Sequence, residues 1–285
     1  MRTVTLVAHD RPSHTAKAIC ALTDAILKSD EQIFDTLILS IDPGCQEVTD
    51  VCDKAAEMLS NAGVINCALY VNKEKFGVSG NTLVALSRAF EEHGSDFNLS
   101  IEDDAILTPD AALLAQWFDD KYGGEESTYT LFSMCNHRAF GRGENPGNIA
   151  NDPAYLVESL LITSPFAWCL PACHWPFVQD SWDRKTLPPN GWDFSLSFSM
   201  RLAKRRALHP ILSRCQNIGK TGVHSNPEDF KRTEEGIIHS DGSYAGPYKI
   251  VGRVPDSEFN VVDDWMVAEL QRIKEESNEE HKSGS

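Results

Sequence analysis

Asp96-Phe-Asn-Leu-Ser-Ile-Glu-Asp-Asp-Ala-Ile-Leu-Thr-Pro-Asp110 decides the reading of this chain. Residues 96–101 have the apolar character of a buried strand, and that strand runs directly into Glu102-Asp103-Asp104. Three consecutive carboxylates at the end of an apolar strand are costly unless something neutralises them. The Thr108-Pro109-Asp110 that follows has the form of a helix start. Thr108 is the expected cap, Pro109 the first position, and Asp110 an acid that favours the helix dipole. A strand, an acidic corner and a helix together make a pocket for a hard cation. Magnesium or manganese takes oxygen ligands from one or two carboxylates and from substrate phosphates. A solvated acidic turn is the plainer alternative.

Working upstream, Thr3–Ala8, Ile33–Ile41 and Val64–Val71 read as strands, each followed by a helical pattern. Ile19, Leu22 and Ile26 recur at helical spacing behind Ser13, a candidate cap. Val48, Val51, Cys52, Ala55 and Leu59 form a second apolar face, which stops at Gly63. A third helix is expected between Asn81 and His93. Strand–helix alternation of this kind predicts an α/β fold of Rossmann-like type, a mostly parallel sheet flanked by helices on both faces. Ligands of such sheets bind beyond the carboxyl ends of the strands. One crevice is therefore expected to gather His9, Asp10, Arg11, Asp42 and the acidic triplet.

Downstream of about residue 123 the pattern changes. Residues 129–134 and 164–170 read as strands and 193–206 as a helix, while 141–152 and 236–252 are glycine-rich and read as loops, the second of them mobile. The polar stretch 275–285 reads as disordered. The expected organisation is one half over 1–123, a second half of the same domain over 124–235, and a C-terminal extension over 236–285 that ends in this tail.

Forty-two acidic against 26 basic residues give a net charge of −16. That balance argues against nucleic-acid binding, which needs a basic footprint, and against an electrostatic membrane anchor. A nucleotide ligand remains compatible with it, because a bound divalent cation supplies positive charge locally. The most apolar stretch, 160–178, is broken by Pro165, Pro171, Pro176 and His174, so no membrane span is expected. The first strand begins almost at the initial methionine, leaving no room for a signal peptide. The eight cysteines are scattered; Cys169 and Cys173 alone are close enough to share a metal, and reduced core cysteines in a cytoplasmic protein are the simpler expectation.

Taken in order, these motifs resemble the GT-A glycosyltransferases, most closely the N-acetylglucosaminyltransferase I type. Asn98–Asp110 is similar to that family's Glu-Asp-Asp motif with its following Pro-Asp. Leu6-Val-Ala-His-Asp-Arg-Pro12 resembles its first strand and Asp-Arg turn, and Ser40–Gly44 the loop after its second strand. Gly191-Trp192-Asp193, His209-Pro-Ile-Leu-Ser-Arg214 and Gly219-Lys-Thr-Gly222-Val-His-Ser225 resemble its Trp-Asp segment, its Ser-Arg strand and its glycine loop. The likeness covers about residues 3–226.

The resemblance implies a metal-dependent transfer of a sugar from a nucleoside-diphosphate sugar, UDP-sugars favoured, to a glycan or other hydroxyl acceptor, with inversion; it makes 1–123 the nucleotide-sugar-binding half and 124–235 the acceptor-binding and catalytic half. By the same likeness Asp104 would contact Mn2+ or Mg2+, with His224 a further metal or phosphate contact. Glu102 and Asp103 would hold the ribose and order the site; Asp10, Arg11 and Asp42 would frame the nucleoside. Asp193 would be the base of an inverting reaction, with Trp192, Asn136 and Trp168 toward the acceptor. For Trp168 a place in the core is the competing reading; for Asn136-His137-Arg138, a solvated loop. Phe194 stands where the family usually carries a second acid, and the membrane anchor of the family has no counterpart, which points to a bacterial or viral source. Asp263-Asp-Trp-Met266 matches the Trp-Asp segment literally but lacks the strand and glycine loop that should follow. Two other functions are the alternatives: an inactive carbohydrate- or nucleotide-binding relative, and a nucleotidyltransferase, which needs a glycine- and lysine-rich loop where this chain has His9–Pro12.

Overall fold

A computed structural model describes residues 1–136, 152–159, 166–182, 192–220, 228, 230, 231 and 237–253. Its centre is a nine-stranded sheet in the order β11-β7-β9-β6-β8-β4-β1-β2-β3. The first half is built from β1 (Arg2–Ala8), α1 (Pro12–Leu27), β2 (Thr36–Ile41), α2 (Gln46–Asn61), β3 (Asn66–Val71), α3 (Gly77–Ser87) and β4 (Phe97–Glu102). Its four strands are all parallel. After β4 come β5 (Ala105–Leu107), α4 (Ala111–Tyr122), β6 (Tyr129–Ser133), β7 (Tyr155–Ser159), β8 (Ala167–Pro171), α5 (Trp175–Trp182), α6 (Trp192–Leu202), β9 (Arg206–Pro210), β10 (Cys215–Asn217) and β11 (Lys249–Arg253). Here the sheet is mixed. β8 runs antiparallel to both β4 and β6, β7 antiparallel to β9, while β6·β9 and β7·β11 are parallel. The fold is therefore α/β with a Rossmann-like core of the GT-A kind, as the alternation predicts for the first half.

Side-chain alternation explains why helices cover both faces. On β8, Ala167 and Cys169 enter one apolar cluster with α1, α2 and α4, whereas Trp168 and Leu170 enter another with α3, α5 and α6. Successive strand residues point to opposite faces, so a strand apolar throughout needs partners on both. β1 differs: Val4 and Leu6 are apolar, but Thr3 and Thr5 on its other face are buried too. Thr3 Oγ1 donates to Asn98 Oδ1 (2.8 Å), and Asn98 Nδ2 donates to Thr5 Oγ1 (3.0 Å). These buried polar groups satisfy one another across the central strands.

Several boundaries differ from the sequence reading. Pro12 occupies the first turn of α1 with Arg11 at the N-cap, and no side chain caps it, so Ser13 is inside the helix. The strand expected from residue 33 begins at Thr36, and that expected from 64 begins at Asn66. The helix expected over 81–93 begins at Gly77 and finishes as a π-turn over Arg88–Glu92. α4 starts at Ala111, not Pro109, with Asp110 at its N-cap, and residues 105–107 ahead of it form β5, which pairs antiparallel with β10. The helix expected to reach Arg206 ends at Leu202; Lys204 turns into the left-handed region at φ 54°, and Arg206 opens β9. Arg205 and Arg206 therefore lie beyond the helix. Arg205 lies over the Phe177 ring, and Arg206 pairs with Glu158.

Residues 237–253 are fixed in place, where a mobile loop was expected. Ser240 Oγ donates to Asp110 Oδ2 (2.9 Å), and β11 extends the sheet. Gly242, at φ 75°, packs so closely that a Cβ there would lie 2.3 Å from Pro109 Cδ. The loop expected over 141–152 and the tail over 275–285 lie outside the described residues, apart from Asp152. No disulfide joins any of the eight cysteines, and Cys52, Cys135, Cys169 and Cys215 are buried. Among the described residues no helix is long and apolar enough to cross a membrane.

Candidate active site

The carboxyl ends of β1 and β4 lie side by side, with Val7 opposite Glu102 in register. That register puts the turn after β1, His9-Asp10-Arg11-Pro12, beside the acidic corner. Arg11 crosses between them. Its Nη1 donates to Asp104 Oδ2 at 2.6 Å and its Nη2 to Asp103 Oδ1. Asp103 and Asp104 are buried, 4% and 5% exposed, while the Arg11 side chain is 30% exposed and forms the rim. Asp104 Oδ1 is buried with no hydrogen-bond partner. An unpartnered buried carboxylate oxygen is costly and points to a missing cation or donor.

A second segment closes the corner. Ile218 N donates to the Asp104 carbonyl (2.9 Å), continuing the β5·β10 pairing. Gly219 then lies directly on the ion pair: a Cβ there would sit 2.1 Å from Asp104 Oδ2 and 3.0 Å from Arg11 Nη1. Only a residue without a side chain permits this approach. Lys220 follows and, with His14, Lys17, Cys20, Ile106 and Gln216, helps line a groove of about 870 Å³ between α1 and the β5/β10 ribbon.

Charge in the corner is unbalanced. Burial pushes the Asp103 carboxyl up to about 6, against the pull of Arg11. Glu102 is held well above the usual carboxylate range, by burial first and then by the charges of Asp104, Asp103 and Asp193. Three carboxylates thus act on Glu102, with the Arg11 guanidinium opposing them. This arrangement, the open Asp104 Oδ1 and the bare backbone at Gly219 fit a hard divalent cation. Among the described residues no group of three or more His, Cys, Asp or Glu side chains is arranged to hold a metal alone. Magnesium-type sites commonly draw one or two ligands from protein and the rest from phosphates and water.

Other candidates fall around this corner in different ways. Asp10 is exposed, and its carboxylate is 3.8 Å from His9 Nε2; His9 Nδ1 is buried without a partner. Asp42 is buried and fully engaged: Oδ1 accepts from Asn72 Nδ2 (2.9 Å) and Phe76 N (3.2 Å), and Oδ2 from Gly77 N (2.7 Å). It ties the end of β2 to the start of α3, where an anion is favoured. Asp193 lies in the first turn of α6, close enough to Glu102 to act on its ionisation. Trp192 beside it stacks on Trp182, centroids 4.2 Å apart, and packs against Trp168 at 5.4 Å. Trp168 is fully buried, so it backs the site from the core. Asn136 is buried too, its Nδ2 donating to the Ile211 carbonyl (3.2 Å) while Oδ1 has no partner. His137, Arg138 and His224 lie outside the described residues, as does the Phe194 side chain.

Three features escape the sequence reading. The Arg11 bridge joins residues more than 90 positions apart. Beneath Asp42, Asn81 accepts from Ser40 Oγ (2.6 Å) and Asn72 Nδ2 (2.9 Å), while Arg88 donates to Ser40 and Asn72 (both 2.8 Å). A polar residue on the buried face of α3 is the one signal of this network. Arg214 and Asp110, both completely buried, pair at 3.0 Å. Arg214 also donates to the carbonyls of Leu212 and Pro153, and Asp110 accepts from Thr108 Oγ1. The Pro-Asp and Ser-Arg elements of the sequence thus meet as one ion pair behind the acidic corner, and Asp110 serves that pair where a dipole role in α4 was expected.

No protein-family profile matches this chain, and no curated protein does. Solved structures do. That of S. aureus TarS 1–349 superposes with a TM-score of 0.51 at 13% identity, covering 82% of this chain and 63% of that one. TarS 1–349 in complex with UDP-GlcNAc gives 0.49 at 14% identity, covering 82% and 64%. UDP-glucose pyrophosphorylase complexed with UDP-glucose gives 0.46 at 9%, covering 74% and 90%. The chain spans less than two thirds of the TarS chain, and the likeness at 0.51 is one of fold.

Proposed function

We propose that this protein transfers a sugar from a nucleoside-diphosphate sugar, a UDP-sugar by preference, to a hydroxyl acceptor, and that Asp104 carries the divalent cation of the reaction. The observation that carries this reading is the buried, unpartnered Asp104 Oδ1 in a corner where the single Arg11 guanidinium bridges Asp103 and Asp104. TarS, which shares the fold, has been seen with UDP-GlcNAc and with UDP.

In this reading Glu102 and Asp103 engage the ribose hydroxyls, Asp10 lies at the nucleoside end, and Arg11 faces the phosphates. Asp42 holds the β2–α3 junction in shape through its three hydrogen bonds and so frames the nucleoside from behind. Manganese or magnesium on Asp104 would neutralise charge developing on the leaving diphosphate. Asp193 takes the proton of the acceptor hydroxyl on a carboxylate oxygen. The anomeric carbon loses its bond to the diphosphate oxygen and gains one to the acceptor oxygen, through an oxocarbenium-like transition state. Trp192 supports Asp193 at the start of α6, with Trp168 behind it and Asn136 toward the acceptor side. His224 is proposed as a further metal or phosphate contact. The glycine-free turn His9–Pro12 disfavours a nucleotidyltransferase, which must cradle a triphosphate there.

The test is a melting-temperature screen of UDP, CDP, GDP, ADP and their sugars, with and without manganese. A ligand that binds the folded chain alone raises the midpoint by mass action. A rise that needs both manganese and one nucleotide is expected. No rise with any nucleotide counts against the reading and directs attention to glycan binding without catalysis.

A further inference from the structure

Arg11 already occupies part of the carboxylate that the proposed cation needs. Nη1 holds Asp104 Oδ2 at 2.6 Å, Nη2 holds Asp103 Oδ1, and Oδ1 of Asp104 alone is open. The contact is pressed against the bare backbone of Gly219, with no room for a side chain between. A divalent ion entering here meets a fixed guanidinium at close range, in a buried corner where water screens poorly. The guanidinium itself is on the rim, its side chain 30% exposed, where an incoming anion can reach it. A diphosphate offers it the same geometry of paired oxygens that the two carboxylates now supply.

We propose that Arg11 is an internal counter-ion that stands in for the cation and makes its binding depend on the nucleotide. With no diphosphate present, Arg11 stays on Asp103 and Asp104 and weakens cation binding. A diphosphate draws the guanidinium away, frees Asp104 Oδ2, and supplies oxygens of its own to the ion. Cation and nucleotide then bind cooperatively, each tightening the other by the same factor. This inference rests on the donor-site reading above and adds to it an order of events: neither component loads well alone, so the acidic corner does not sequester free divalent ions.

The experiment measures free Mn2+ by its paramagnetic resonance signal, in titrations of the wild type, Arg11→Gln, Arg11→Lys and Asp104→Asn. Each is titrated alone and with UDP, CDP, GDP or ADP, against nucleotide-only references, after circular dichroism has shown native structure. Arg11→Gln should bind Mn2+ alone about tenfold more tightly than wild type and lose most of the gain from nucleotide, a factor ordinary for coupled sites. Arg11→Lys keeps a charge but loses the planar fork that spans the two carboxylates, so it should fall between. If Arg11→Gln binds Mn2+ no better than wild type, while wild type binds it with a nucleotide, the counter-ion role is overturned and the donor site stands. If neither binds Mn2+ under any condition, or Asp104→Asn binds as wild type does, the donor-site reading itself falls.

Discussion

Asp104 and Asp193 divide the proposed chemistry between two carboxylates with different surroundings. Asp104 is enclosed by Arg11, Gly219 and the β5 turn; Asp193 opens a helix and borders a stacked tryptophan pair. Their substitutions should therefore fail differently. Asp104→Asn should abolish the manganese-dependent part of nucleotide binding, read as heat in a calorimetric titration; binding heat equal to wild type would remove Asp104 from the metal site. Asp193→Asn should leave that heat intact and lower transfer by about 10²–10⁴-fold, the usual contribution of a positioned base. Transfer at the wild-type rate would place the base elsewhere. The sequence singles out Asp104 because an apolar strand stops there at acids, and Asp193 only through the likeness of Trp192-Asp193 to a Trp-Asp segment. What was not legible is that Asp42, an acid at a similar stop, is consumed by Asn72 and by the first amides of α3. Its partners come from 30 and more positions away, and no local pattern names them.

The acidic corner is held by the union of β5 with β10, which joins residues more than 100 positions apart. Behind it the Asp110–Arg214 pair fixes the start of α4 to the segment entering β10. Asp110→Asn or Arg214→Met leaves one charged partner buried and uncompensated, which typically costs about 3–5 kcal/mol. Urea denaturation should show a loss of that order; a change below about 0.5 kcal/mol, ordinary for a surface substitution, would contradict the hub. The elements that the sequence revealed are those with local signatures: β1 to β4, each with its helix, where apolar periodicity changes from one type to the other. Those it missed include β7, α5, the three-residue β5 and β10, and the reversed direction of β8. Strands of three residues carry too few positions to show alternation, and direction is set by pairing with distant neighbours. The same applies to residues 237–253, whose glycines suggested slack but serve close packing, as at Gly242 against Pro109.

Across the whole molecule, acid should act on stability through groups that must stay neutral inside. His174 is buried, and its value is lowered from 6.5 by burial first and then by the charge of Arg205. The unfolded chain takes up a proton below pH 6.5 that the folded chain resists, so stability is full above that pH and declines as pH falls toward the folded-state value. Replacing His174 by Gln should flatten that decline between about pH 7 and 5.5. The difference between the two proteins isolates His174 from Glu102 and Asp103, whose raised values act with the opposite sign. Identical slopes would show that His174 titrates alike in both states. The central claim concerns the acidic corner, where two halves of the sheet and the glycine at 219 converge on one carboxylate. Its most direct test is crystallographic: crystals grown with manganese and the nucleotide that raises the melting temperature, with anomalous difference density measured for the ion. The account predicts a peak about 2.1 Å from an Asp104 oxygen, shared with diphosphate oxygens, with Arg11 moved off that carboxylate. Bound nucleotide with the ion elsewhere, or with Arg11 still on Asp103 and Asp104 and no peak, would contradict it.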